Sequence, residues 1–505
     1  MKNEIQLDSR AAFENGCYHR FAPVVRDSLL FPNARKQIGQ ALTEGFTPIF
    51  EQCIILGLWW QIGVQAVLSP GHYAWFTVSF YFGAIIGSLL SCRMLSSYGR
   101  HWTLHFSCLP NLAGWFYMFL TARSLSILSI FMGRLLTGVA VGLMIPGGLI
   151  YLIEVAPADC SGLFGCLAPL GFALGSTFAH ATLAYSDYIY FVFAGSILLV
   201  FVNLTIWLLP ESPRWLAKTE QFDRAAAACS WFSCQNYQQL IDSESSLKTA
   251  PDCIDNVGVQ LTQFQRFNRF LFGFTNMSSV DQSNAHLARR LLALQQLTLI
   301  GPLLNFCESL FAFGGSPWTL HYAGTIGLPQ CIFTTIAALA ASYTPRKNML
   351  HCSTLIMSLS YFVLGVLLQF DYFKPISPFT ILCVSLCLIG YSVGWGPIPI
   401  IMVVEMFNTE HRGFIVGSAM VISWILGIVT ILLFEPLTTL LGAPCYFWLS
   451  SFACVLCTVY VHLYVPETNA YVCKPPITKL TQALKLEPIQ PEVKRKANGL
   501  RMKGV

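Results

Sequence analysis

The feature that most constrains this 505-residue chain is the recurrence of continuous apolar runs about twenty residues long. A helix of that length crosses the ~30 Å hydrocarbon core of a bilayer. Twelve such runs can be placed, centred near Gly57, Gly83, Leu112, Val141, Ala173, Leu198, Pro302, Thr334, Leu359, Gly390, Leu426 and Cys454. In lipid the backbone must satisfy its own hydrogen bonds, which leaves helices or a closed barrel. The runs are continuous rather than alternating, so a barrel is excluded. Charged residues are only 11% of the chain, against ~25% in a soluble domain, too few to cover a water-facing surface. Most of the eighteen cysteines fall inside the apolar runs. There they read as small packing residues, Cys454-x-x-Cys457 included.

Charge placement sets an orientation. Three polar regions lie on one side: residues 1–45, the central stretch 210–288 and the tail 467–505. With the short loops on that side they carry 27 of the 30 Lys and Arg residues. The positive-inside rule then expects both termini in the cytoplasm. The N-terminus is mixed polar and reads as no signal peptide. The small net charge of +5 is dispersed, with no basic block for nucleic acid. The central stretch has no nucleotide-binding glycine pattern, and its segment 222–232 has short helical character.

The chain repeats itself. Glu154 closes segment four and is followed by Ser161-Gly162; Glu405 closes segment ten and is followed, at the same spacing, by Arg412-Gly413. The first half ends Leu209-Pro210-Glu211 and the second Val465-Pro466-Glu467. Two parallel six-helix repeats imply two bundles (46–209 and 289–466) around a central site opened by rocking. The expected fold class is thus all-α, a polytopic membrane protein of twelve transmembrane helices in two six-helix bundles.

Charges in or beside hydrocarbon are costly and mark function. Arg134 sits early in segment four. Glu154 and Glu405 sit at helix ends, with Arg100, Arg214, Arg346 and Arg412 at the same depth. They are read as ion pairs that close the cytoplasmic side, with Arg134 grouped among them. Gly394-Trp395-Gly396-Pro397-Ile398-Pro399 interrupts segment ten. Its prolines remove donors and its glycines permit bending, so Gly394, Gly396, Pro397 and Pro399 are expected to form a hinge beside the pathway. Gln295 and Gln296 stand together in an apolar helix, where two amides need partners.

Several stretches resemble the sugar porter family of the major facilitator superfamily, closest to the animal facilitative glucose transporters. They are Gly133-Arg134-Leu135-Leu136-Thr137-Gly138-Val139, Tyr151-Leu152-Ile153-Glu154-Val155-Ala156-Pro157 and Pro210-Glu211-Ser212-Pro213-Arg214-Trp215-Leu216 in the first half. The second half supplies Gln295-Gln296-Leu297, Gly394-Trp395-Gly396-Pro397-Ile398-Pro399, Glu405-Met406-Phe407 and Val465-Pro466-Glu467-Thr468. The resemblance implies passive hexose movement by alternating access, with the sugar held mainly by the second bundle. It implies that Gln295 and Gln296 bond sugar hydroxyls, and that His180, Ser423 and Trp424 line the cavity.

Departures from the family pattern are specific. Gly301 and Ile400 replace an asparagine and a tryptophan, and the segment-eight asparagine is read as lost, with apolar Ile332 nearby. Ser161 stands where an arginine is expected, which implies a weaker lock between the bundles. Gln61 takes the place of the proton-linked relatives' aspartate. An amide cannot shuttle a proton, so uniport is expected over symport, with Gln61 counted among the solute-contacting residues. A non-transporting sensor on the same fold is the alternative from another class. No nucleophile–base pair or metal cluster suggests an enzyme, and no cofactor or metal is expected. The expected partners are a sugar-like solute and the bilayer, expected to be that of the plasma membrane, with the oligomeric state left open.

Overall fold

A computed structural model describes residues 70–124, 127–156, 161–183, 188–232, 279–304, 319–370, 378–407 and 409–468. Segment one, with Gln61, lies outside them. The described residues form helices and no strand. In the first half these are α1 (Pro70–Ser97), α2 (Arg100–Ser124), α3 (Ile127–Val155), α4 (Ser161–Leu183) and α5 (Tyr188–Ile206). Two short helices follow, α6 (Pro213–Lys218) and α7 (Phe222–Trp231), the latter where the sequence expects helical character. The second half contains α8 (Ser279–Leu297), α9 (Thr319–Ala341), α10 (Arg346–Gln369), α11 (Pro378–Val393), α12 (Ile398–Glu405), α13 (Thr409–Leu441) and α14 (Ala443–Tyr464). Segments two to twelve are all present, segment ten as the pair α11–α12. Helix α8 starts at Ser279, inside the stretch read from sequence as polar connection.

Packing follows small residues. Helices α1 and α3 approach until backbone meets backbone: Gly83 and Gly87 face Leu135 and Val139, while Gly138 and Gly142 face Phe80 and Ala84. Each pair is spaced four apart, the small-xxx-small pattern that brings membrane helices together without a hydrophobic drive between them. Two seams join the halves. Helix α1 lies along α13, and α4 lies along α9. At the first seam Gly417 leaves room for Cys92 and Ser88. At the second, Gly327 lies against Thr177, whose hydroxyl is 3.2 Å from Cys331 Sγ. The two seams exchange under the internal repeat, since segment two corresponds to eight and segment five to eleven.

Among the described residues two membrane helices are broken. Segment ten stops at Val393 and resumes at Ile398. Segment seven stops at Leu297, passes through Leu299 with φ 58° and resumes at Ile300. A left-handed leucine is costly and had no signature in the sequence. Both breaks border the same space between the halves.

Candidate functional site

That space is a cavity of about 210 Å³. The second half supplies its polar wall: Gln295, Gln296, Gln330, Thr334, Tyr391 and Ser423. The first half supplies Tyr81 and an apolar wall of Ile145, Leu149, Ala168, Pro169 and Phe172.

The paired glutamines are brought there as expected, but their amides are employed differently. Gln295 Nε2 donates to the carbonyls of Trp395 (2.6 Å) and Gly396 (3.2 Å), with Tyr391 Oη at 3.5 Å. Those carbonyls are orphaned by the break in segment ten, and in lipid they need donors. Gln295 is therefore a clasp on the hinge as well as a cavity residue, and its Oε1 is what remains for a solute. Gln296 Nε2 donates to Ser423 Oγ at 2.9 Å, which places this pair together on the wall. The hinge is further held by Ser353, whose Oγ accepts from Trp395 N at 3.1 Å and donates to the carbonyl of Gly390. Gly394 presses against Met349 and Ser353, and Gly396 against Tyr391. Pro397 caps α12 and Pro399 stands in its first turn, where a missing N–H is tolerated.

Trp424 lines the cavity and also crosses between halves. Its Nε1 donates to Ser88 Oγ at 3.1 Å, and its ring meets Tyr81 edge-on at 5.6 Å. Helix α4 reaches the cavity through Ala168, Pro169 and Phe172; the His180 side chain, further along the same helix, lies outside the described residues. Segment eight keeps a polar residue after all: Gln330 is 6% exposed on the cavity wall, whereas Ile332 is 57% exposed on the opposite face. An amide in an apolar run was the signal to follow, the one that singled out Gln295. Among the described residues the Gln330 side chain has no hydrogen-bond partner, so it is free to meet a solute.

At one end of the bundles the charged residues form two matching knots. In the first, Glu154 accepts from Arg100 Nη2 (2.7 Å) and Nε (2.9 Å), from Ser212 Oγ (2.6 Å) and from Arg412 Nη1 of the other half (3.1 Å). Glu211 accepts from the backbone N–H groups of Arg100 (3.0 Å), His101 (3.2 Å) and Ser212 (2.8 Å). Burial pushes the Glu211 carboxyl above its ordinary range, against the pull of these donors. In the second knot Glu405 accepts from Arg346 Nη2 (2.9 Å), Thr468 Oγ1 (2.8 Å) and Ser161 Oγ of the other half (3.2 Å). Glu467 accepts from the backbone N–H groups of Arg346 (2.9 Å) and Lys347 (3.2 Å). The ion pairs expected from sequence thus exist for Arg100, Glu154, Arg346, Glu405 and Arg412.

Arg134 does not belong with them. It precedes Glu154 by twenty residues on the same helix, about 30 Å along its axis. It is buried instead over the ring of Phe76, 4.3 Å from its centroid. A guanidinium can be carried in an apolar setting by an aromatic face. Arg214 makes no ion pair with another described residue, although it lies close enough for its charge to act on Arg412. Among the described residues no three His, Cys, Asp or Glu side chains gather as a metal-binding set.

Comparison with known proteins fits this architecture. Residues 53–472 match the family model described as "Sugar (and other) transporter". The facilitated trehalose transporter Tret1 of Drosophila mojavensis is 25% identical over 411 residues, 80% of this chain and 46% of its own length. The chain thus spans about half the length of the trehalose transporters it matches. Human solute carrier family 2, facilitated glucose transporter member 6, is 25% identical over 462 residues, 84% of this chain and 86% of its own. Among solved structures, the proton:xylose symporter XylE bound to 6-bromo-6-deoxy-D-glucose superposes with a TM-score of 0.70 at 17% identity, covering 84% of this chain and 95% of that one. At that identity the likeness shows the fold, a twelve-helix major facilitator architecture. The paired helix seams and the broken helices beside the cavity accord with the family match, and that match, over most of its length, establishes that this integral, multi-pass membrane chain belongs to the sugar (and other) transporter family.

Proposed function

We propose that the protein moves a small sugar-like solute passively across the membrane by alternating access. One observation carries the reading: the cavity, with Gln296, Ser423 and Gln330 on one wall, lies between halves that an ion pair, Arg412–Glu154, holds together at one end. Breaking that pair lets the charged end part and expose the cavity on that side. The moving bodies are taken as 46–209 and 289–466, joined through 210–288, with Gly394 to Pro399 as the flexing element and Gln295 as its clasp. Both tails, 1–45 and 467–505, are placed in the cytoplasm and the protein in the plasma membrane. The cavity lies below the ~300–1,000 Å³ of drug-sized sites, which favours a single ring over a disaccharide. A site built on a few hydroxyl-binding groups loses affinity when one is left unpaired.

The test is uptake into proteoliposomes without a proton gradient, using labelled hexoses, a pentose, a polyol and trehalose. Saturable uptake of at least one monosaccharide is expected, with Gln296→Ala raising KM about tenfold, the worth of one or two lost hydrogen bonds. Absence of saturable uptake of any of them overturns the substrate class. Uptake that requires an imposed proton gradient overturns uniport, and binding without counterflow would mark a sensor.

A further inference from the structure

Away from the central cavity, a second hollow of about 800 Å³ runs along the lipid face between α10 and α14. Its floor is low because the helices meet there through small hydroxyl residues. Ser358 and Ser451 hydroxyls lie 3.0 Å apart, and Thr458 Oγ1 donates to Thr354 Oγ1 at 2.7 Å. Its rims are high and apolar: Leu355, Leu359 and Phe362 on α10, and Val455, Val459 and Leu463 on α14, all exposed. A trough of this shape in a bilayer suits an extended acyl chain.

The end of the trough near the charged knots is basic. His351 and His462 line it with ring centroids 5.9 Å apart. Lys347 stands beside this end, its Nζ donating to the carbonyl of the lining residue His462 at 3.3 Å. A carbonyl fixes the ammonium in place without neutralising it. Neither α10 nor α14 carries an acidic residue. The carboxylate that approaches this end, Glu467, is committed to the backbone N–H groups of Arg346, Lys347 and Thr468. Basic pockets between membrane helices at the interface select anionic headgroups.

We propose that this trough is a binding site for one anionic phospholipid of the adjoining leaflet, its acyl chain between α10 and α14 and its headgroup phosphate on Lys347, His351 and His462. The proposal requires only that the chain is embedded in lipid, so it stands or falls apart from the transport reading. The test is photolabelling of the full chain in phosphatidylcholine vesicles doped with a diazirine-bearing phosphatidylserine or phosphatidylcholine, with labelled peptides mapped. Segments 347–362 and 451–463 are expected to take the anionic probe about fivefold more, the worth of roughly 1 kcal/mol from the one permanent charge, Lys347, with the imidazoles serving as hydrogen-bond donors. K347R should keep that preference, and K347Q/H351Q/H462Q should abolish it. If the triple variant does not fold, K347Q alone should lower the preference. Equal labelling of the wild type by both probes, a preference unchanged in the glutamine variants, or copy-to-copy crosslinking through exposed Cys352 in place of lipid labelling would each overturn the assignment.

Discussion

Glu154 and Glu405 end matching helices in the two halves, and each gathers an arginine from the start of a neighbouring helix and a hydroxyl from the Pro-Glu-Ser or Pro-Glu-Thr turn. They differ in what reaches them from the opposite half. Glu154 receives a guanidinium, Arg412, while Glu405 receives a hydroxyl, Ser161. Each knot is therefore internally the same, and the bond between bundles is charged on one side and neutral on the other. The repeat conserves what holds a bundle together, and the asymmetry lies in what must be broken for the bundles to part. A charge-assisted hydrogen bond is roughly twice as strong as a neutral one, so the first knot should govern the opening of this end.

The largest effect is expected where one group supports most partners. Glu154 is fully buried and anchors two guanidiniums. Glu154→Gln leaves both without a counter-charge, and breaking such a buried pair costs about 3–5 kcal/mol. Loss of folded protein, read as a fall in detergent melting temperature and in uptake, should exceed that of Glu405→Gln, whose carboxylate is partly exposed and serves one arginine. Equal losses would show that the two knots bear equal load.

Next is the crossing pair itself. Arg412→Gln removes the charged bond between halves but leaves Glu154 with Arg100 and Ser212. The cost is about 2–5 kcal/mol for truncating a buried charged partner, with part of it spent on conformation rather than folding. Arg412 Nη2 also donates to the Phe407 carbonyl at 2.8 Å, so the turn after α12 loosens as well. Hydrogen exchange at the start of α13 and at the end of α3 should rise together, marking opened bundles. Exchange rising at α13 alone would mean that the arginine holds only its own turn.

A third contrast lies in the backbone. At the head of α2 stands Gly99, with φ +94°, pressed on the Glu211 carboxylate. At the head of α10 the same place holds Pro345, with φ −57°. The first requires a residue without a Cβ, whereas the second accepts any. Gly99→Ala should cost about 1–2 kcal/mol from the left-handed conformation alone, and more from displacing Glu211. Pro345→Ala should stay within about 1 kcal/mol. Thermal melts of the two variants decide it, and similar shifts would remove this difference between the knots.

How much of this could be read in the chain depends on the kind of cause. Apolar run length fixes the helices because the bilayer leaves no other solution. Recurring short motifs located the knots because both halves reuse the same residues at nearly the same spacing. The helix break at Gly394 to Pro397 was legible in its prolines, but not that Gln295 would serve it, since a helix break shows where carbonyls are freed and not which distant donor takes them. Arg134 was misjudged because charge was counted without depth along the helix. Gln330 was passed over while Ile332 was noted, and two residues along a helix means opposite faces. Leu299, in a left-handed conformation with no glycine to announce it, follows from tertiary packing alone.

The smallest expected effect is the sharpest test of the asymmetry. Ser161→Ala deletes the neutral crossing bond and leaves Glu405 with Arg346 and Thr468, a loss of about 0.5–1.5 kcal/mol. Melting should barely move, because Glu405 is partly exposed and water can replace the hydroxyl. The converse, Ser161→Arg, would rebuild on the second knot the arrangement of the first, two guanidiniums on one carboxylate. If the charged crossing governs opening, this variant should slow hydrogen exchange at the ends of α3 and α12 and reduce the uptake rate several-fold, because each cycle must then break two charged crossings instead of one. Gly162 already lies close to Arg346 Nη1, so the new side chain must share Glu405 with a like charge. Slower exchange despite that repulsion would establish that a crossing charge at this site sets how readily the end opens, whereas faster exchange would show that Ser161 is small because Arg346 needs the room.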